Sequence, residues 1–147
     1  MSAPPSKPLP PAVVVHGLAH ARVALAEGMP VALLSAPGAA LYLGCAFWRA
    51  LVARATAECP DVPAYDILDC ADAAGQALAA LRIGQRLLVL SLDAPGRDAV
   101  AAIASRMGAL LLPARPPALD LAKRGAVRHL PAWLRDARAD DSGPAAR

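Results

Sequence analysis

Five short apolar runs restrict the fold of this chain more than any other feature: AVVVH (12–16), VALLS (31–35), YDILDC (65–70), RLLVLSL (86–92) and ALLLP (109–113). Most are continuous rather than alternating, the pattern of strands covered on both faces. Between them lie segments with helical spacing. Leu18, Ala21 and Leu25 share one side of the first, Ala74, Leu78 and Leu81 one side of the third, and Val100, Ile103, Ala104 and Met107 one side of the fourth. Gly28, Gly84 and Gly108 each follow a helical segment and precede a run, where a helix end favours a left-handed residue. Strand and helix alternating five times predicts a parallel sheet with right-handed crossovers. The expected product is a three-layer α/β/α sandwich over residues 12–113, with a five-stranded, mainly parallel sheet. Its strand order is flavodoxin-like or Rossmann-like.

The flanks differ from this core. Residues 1–11 read as a disordered Pro-rich arm, without the apolar stretch of a secretory signal. Residues 114–139 read as a C-terminal helical extension, in which Leu130, Trp133, Leu134 and Ala137 make an apolar stripe that docks on the body or on a neighbour. Residues 140–147 read as a disordered tail.

Charge narrows the partners. Residues 1–113 carry eight basic and eight acidic side chains, so the net charge of +3 lies wholly in residues 114–147. So small an excess argues against a nucleic-acid-binding face. Cys45, Cys59 and Cys70 are odd in number and form no C-x-x-C pair, which predicts free thiols in the cytoplasm. Residues 29–48 hold no charge and are long enough to cross a bilayer, but Pro37-Gly38 interrupts them. They read as a buried strand followed by a buried helix, with no membrane involved.

That second helix, about 39–58, carries three of the five aromatic residues, Tyr42, Phe47 and Trp48. Leu41, Cys45, Trp48 and Val52 form one stripe while Tyr42, Ala46 and Phe47 point elsewhere. A helix apolar nearly all round is covered on two sides. Tyr42, Phe47 and Trp48 are therefore the expected interface of a homodimer.

In open parallel sheets ligands bind beyond the carboxyl ends of the strands, where strand order reverses. The polar residues at those ends are His16, Ser35, Asp69 with Cys70 and Asp72, Ser91 with Asp93, and Arg115. Three of them, His16, Asp69 and Asp93, are the candidate catalytic groups. In flavodoxin-like order His16 faces Asp69 and Cys70; in Rossmann-like order it faces Ser91 and Asp93. The strands lead into SAPGAA, CADAAGQA and LDAPGRDA, each reading as a helix start with proline or alanine in its first turn. Free N–H groups at such starts receive phosphate or carboxylate, which makes Ser35, Gly38, Asp72, Gly75, Ser91 and Gly96 candidate contacts for a small anionic molecule. Asp72 is also suited to cap the helix that follows it, and Cys70 reads as structural rather than nucleophilic. His16 and His20 stand four apart, but without the Glu of a zinc protease they read as ordinary polar positions rather than metal ligands.

The better-specified motifs are missing. There is no G-x-G-x-x-G, no G-x-x-x-x-G-K-[ST] and no G-x-S-x-G, and no residue pattern names a cofactor. Two functions of different class are left. The first is a non-enzymatic binding or assembly module that self-associates through the apolar second helix. The second is a small enzyme or anion-binding protein with its site at the strand ends.

Overall fold

The computed structural model describes residues 8–139, with side chains through Asp136. The expected tail at 140–147 and residues 1–7 of the expected arm lie outside these. Six strands form one all-parallel sheet: β1 (Ala12–Val14), β2 (Val31–Leu34), β3 (Ala64–Asp69), β4 (Leu87–Val89), β5 (Leu110–Leu112) and β6 (Ala118–Asp120). Helices packed against this sheet give an α/β sandwich, but the expected three layers are two among the described residues, because the buried residues of every helix pack on the same sheet face: α1 (Leu18–Ala26), α2 (Ala39–Tyr42), α3 (Cys45–Glu58), α4 (Ala74–Arg82), α5 (Arg97–Arg106) and α6 (Ala126–Ala139). The five apolar runs are β1 to β5. Gly28, Gly84 and Gly108 have φ of +71°, +103° and +67° and end α1, α4 and α5 as left-handed residues.

Four further features differ from the sequence expectation. A sixth strand, β6, stands inside the stretch expected to be only helical. It pairs Ala118 with Ala12 and Asp120 with Val14. The strand order is β5-β4-β3-β2-β1-β6, which is neither flavodoxin-like nor Rossmann-like. The long second helix is two helices, α2 and α3, parted at Gly44 with φ +87°. Residues 9–11 of the arm also lie against the sheet, with Leu9 packed on apolar residues and the Pro11 carbonyl accepting the Ala32 N–H.

Strand parity divides the core. Val13, Val15, Val31, Leu33, Leu68 and Leu88 face one way and pack with buried residues of α1, α3, α4 and α5, and with Ala126, Leu130 and Leu134 of α6. The docking of α6 on the body is thus as expected. Ala12, Val14, Ala32, Leu34, Ile67, Leu87 and Val89 face the other way in a smaller cluster. That second face is crossed by the connection from β5 to β6, residues 113–117, because those strands occupy opposite edges of the sheet. Flat strands at their usual spacing would put the edges about 24 Å apart. The six residue steps from Leu112 to Ala118 reach at most roughly 21 Å. Only a strongly twisted and curled sheet lets so short a strap close, and the three-residue length of four strands suits that curvature.

On the helix side, β4 pairs with β3 only at Leu68 and Asp69. The fully buried Gln85 amide supplies bonds that a longer β4 would make, donating to the carbonyls of Asp66 (3.2 Å) and Leu87 (2.9 Å) and to the Asp66 carboxylate (2.9 Å). No helix among the described residues is long and apolar enough to cross a membrane.

Candidate functional site at the carboxyl ends of the strands

Chain order reverses between β1 and β6. From β1 the chain steps to β2 on one side, and only after β5 does it return to lay β6 on the other side. The reversal is the position where parallel sheets receive ligands, and His16 and Asp120 stand at its mouth. His16 Nε2 lies 2.8 Å from Asp120 Oδ1, and the two side chains are 35% and 27% exposed. The same carboxylate oxygen accepts the Ala122 N–H at 2.9 Å. Partial burial pushes the Asp120 carboxyl up, but the Ala122 N–H, His16 and Lys123 outweigh it and hold the group below its ordinary value. His20, on the first turn of α1, accepts the backbone N–H of His16 on its Nδ1 at 3.2 Å, and the two rings meet edge to face with centroids 5.7 Å apart.

Asp120 lies outside the set of strand-end groups that the sequence pattern points to. Its signal is the alternation ALDL at 118–121, with Leu119 and Leu121 facing the helix-side core and Ala118 the other face. His16 faces neither Asp69 nor Ser91 and Asp93, because β2 separates β1 from β3 and β4 lies farther still. Among the described residues no group of three His, Cys, Asp or Glu side chains has a metal-holding arrangement.

A second polar cluster lies at the ends of β2 and β3. The Asp69 side chain is 5% exposed; its Oδ2 accepts from Arg115 at 2.7 Å and its Oδ1 from the Ala71 N–H at 2.8 Å. Arg115 also donates to the Ser35 carbonyl at 2.9 Å, so the guanidinium fastens the strap between β5 and β6 to the second face. The buried Ser35 hydroxyl accepts the Asp69 N–H at 2.9 Å and donates to the Ala36 carbonyl at 3.2 Å. Ser35 and Asp69 are therefore committed to one another and to Arg115, and the sequence expectation of Ser35 as a ligand contact gives way to this internal role. Beside them, burial pushes the Cys70 thiol up to about 12, with the Asp69 charge and Cys45 acting in the same direction, so the thiolate is disfavoured there.

The remaining candidates are scattered. Asp93 is exposed, and its backbone N–H reaches only the Ser91 hydroxyl, at 3.4 Å. Asp72 does not cap α4, whose N-cap is Ala73 and has no side-chain bond; Gly75 is the second residue of that helix. Gly38 and Gly96 precede α2 and α5, but the prolines before them are outside the helices. Ala36 to Ala39 and Ala94 to Arg97 close N–H···O bonds of 3.1 Å with Pro second and a positive-φ Gly third (+66° and +81°), the composition of a type II turn. The third similar stretch, CADAAGQA, turns instead through Ala71 at φ +50°, where the Asp69 side chain accepts its N–H.

The expected interface residues also part company. Tyr42 and Phe47 are more than half exposed, together with Leu41. Trp48 is 1% exposed and donates its indole N–H to Asp66 at 3.1 Å, beside Arg49 at 2.9 Å from the same oxygen, so it belongs to the core. At the amino ends of the strands a groove of about 620 Å³ runs between Pro10-Pro11 and Pro116-Pro117, with Ala12 and Ala32 among its lining and Trp133 at one side.

Searches with protein-family models, curated proteins and solved structures give no match for this chain.

Proposed function

We propose that the protein binds a small anionic metabolite at the carboxyl edge between β1 and β6, with His16 as the group that meets it and Asp120 holding His16 in place. The observation that carries this reading is the coincidence of a His–Asp pair, about a third exposed, with the point where chain order reverses. Lys123 and Arg124 on the loop after β6 and Arg128 in the first turn of α6 favour a negatively charged ligand there. A panel of phosphorylated and carboxylate metabolites tests it by thermal shift. A ligand at 100 times its Kd stabilises by about 2.7 kcal/mol, and His16→Ala abolishes the rise. The absence of any rise across the panel overturns the reading.

A second reading, self-association, is favoured by one observation: Leu41, Tyr42 and Phe47 are large apolar side chains left open on adjoining helical segments. Trp48 takes no part in it.

A further inference from the structure

We infer that the reacting atom at the β1/β6 edge is His16 Nδ1, presented as a proton acceptor, and that Asp120 and His20 are the positioning residues that hold it so. The inference rests on the reading of this edge as a ligand site and specifies its chemistry.

Two hydrogen bonds fix the protons. Asp120 is held in its charged form, and an ionised carboxylate only accepts. Since its Oδ1 lies 2.8 Å from His16 Nε2, that nitrogen must carry the hydrogen. In neutral His16 the lone pair is then on Nδ1, which has no hydrogen-bond partner among the described residues. The Ala122 N–H holds the same carboxylate oxygen, so the acceptor is itself fixed by β6 and its following turn.

His20 performs a complementary task. Its Nδ1 accepts the backbone N–H of His16, which requires a lone pair on that atom and places its own hydrogen on Nε2. The bond ties the tip of β1 to the first turn of α1. The edge-to-face contact of the rings then limits rotation of His16 away from Asp120. Of the four ring nitrogens, His16 Nε2 and His20 Nδ1 are committed within the chain, and His20 Nε2 carries a hydrogen. His16 Nδ1 is the one basic nitrogen left for a ligand.

The ligand class follows. An anion that only accepts hydrogen bonds gains nothing from a bare Nδ1, whereas one that also bears an O–H, such as hydrogen phosphate or a hydroxy acid, donates to it. If the proton passes to Nδ1, the O–H bond breaks, the electron pair remains on the ligand oxygen, and Asp120 balances the imidazolium formed. Arrangement of a base by a fixed carboxylate is a recurrent device for proton transfer.

Long-range ¹H–¹⁵N correlation spectra of the full chain at neutral pH test this without a ligand. The expected result for His16 is a protonated Nε2 and a bare Nδ1. Asp120→Ala converts this to a mixture of tautomers, while Asp120→Asn, which keeps an acceptor oxygen, restores it. Alkylation of wild-type His16 by iodoacetate is expected at Nδ1 over Nε2 by at least about tenfold, by the fold-change arithmetic of a 1.4 kcal/mol preference. A His16 protonated on Nδ1, or alkylated chiefly on Nε2, overturns the proposal whatever the fold of the variants. Addition of inorganic phosphate separates the two readings. A bare Nδ1 that phosphate leaves unperturbed upholds the tautomer and counts against the ligand site, whereas a protonated Nδ1 in a chain that still binds phosphate at this edge does the reverse.

Discussion

Removing the guanidinium of Arg115 leaves a carboxylate stranded inside the protein. Asp69 retains the Ala71 N–H but loses the one cation paired with it among the described residues, at 2.7 Å, and the Ser35 carbonyl loses a donor at 2.9 Å. Breaking one side of a buried ion pair costs about 3–5 kcal/mol. Arg115 is 26% exposed while Asp69 is 5% exposed, so water replaces part of what is lost and the expected cost of Arg115→Ala falls to about 2–3 kcal/mol. For a chain of this length each kcal/mol lowers Tm by roughly 3–4 °C, and the variant melts roughly 6–12 °C below wild type. Urea unfolding of Arg115→Ala, Asp69→Asn and the double variant measures the coupling. The double variant, having no stranded charge, is expected to be at least about 1.5 kcal/mol more stable than the sum of the single effects implies. A loss under about 0.5 kcal/mol for Arg115→Ala, with additive behaviour in the cycle, refutes the strap as a load shared between Arg115 and Asp69.

Three further outcomes follow. Cys45 and Cys59 are part-exposed and are expected to react with a thiol reagent at pH 8 in the folded chain, while Cys70 reacts only on unfolding. Because the folded Cys70 pKa lies above its unfolded value, the unfolded chain sheds that proton first, and the Cys70 contribution to stability declines as pH rises from about 9 toward about 12; a rise in stability over that range contradicts the assignment. If the Leu41–Tyr42–Phe47 surface joins two copies, Tyr42→Glu with Phe47→Glu converts a wild-type dimer to a folded monomer in light scattering, since both side chains are exposed in the single chain, and Tm falls only by what dimerisation contributed. A wild-type monomer at every concentration refutes that reading.

Much of the fold is legible in the residues because it is dictated locally. The five apolar runs become β1 to β5, and the glycines at 28, 84 and 108 end helices as their positions require. The site is less legible because strand order is not a local property. Direction of travel after β5 depends on which sheet edge is left to pair, and the residues that take it, Ala118 to Asp120, form a three-residue strand behind two prolines. Without β6 beside β1, Asp120 has no visible relation to His16, 104 positions away. Asp69 and Arg115 both stand at strand ends in the sequence, and the structure joins them across the strap, yet as an internal latch. Similarly, the apolar character of residues 39–58 is evident, but not which aromatic is covered: on α3 Trp48 turns inward to Asp66 while Phe47, one position and about 100° away on the same helix, stays outside, as does Tyr42 on α2.

The central claim is that the β1/β6 carboxyl edge is the ligand site, and amide chemical-shift mapping with inorganic phosphate tests it most directly. Saturable shifts are expected for residues 16–20 and 120–125, lost in His16→Ala. Saturable shifts confined to the Leu41–Phe47 surface or the Pro-lined groove, or no saturable shift anywhere, contradict the claim.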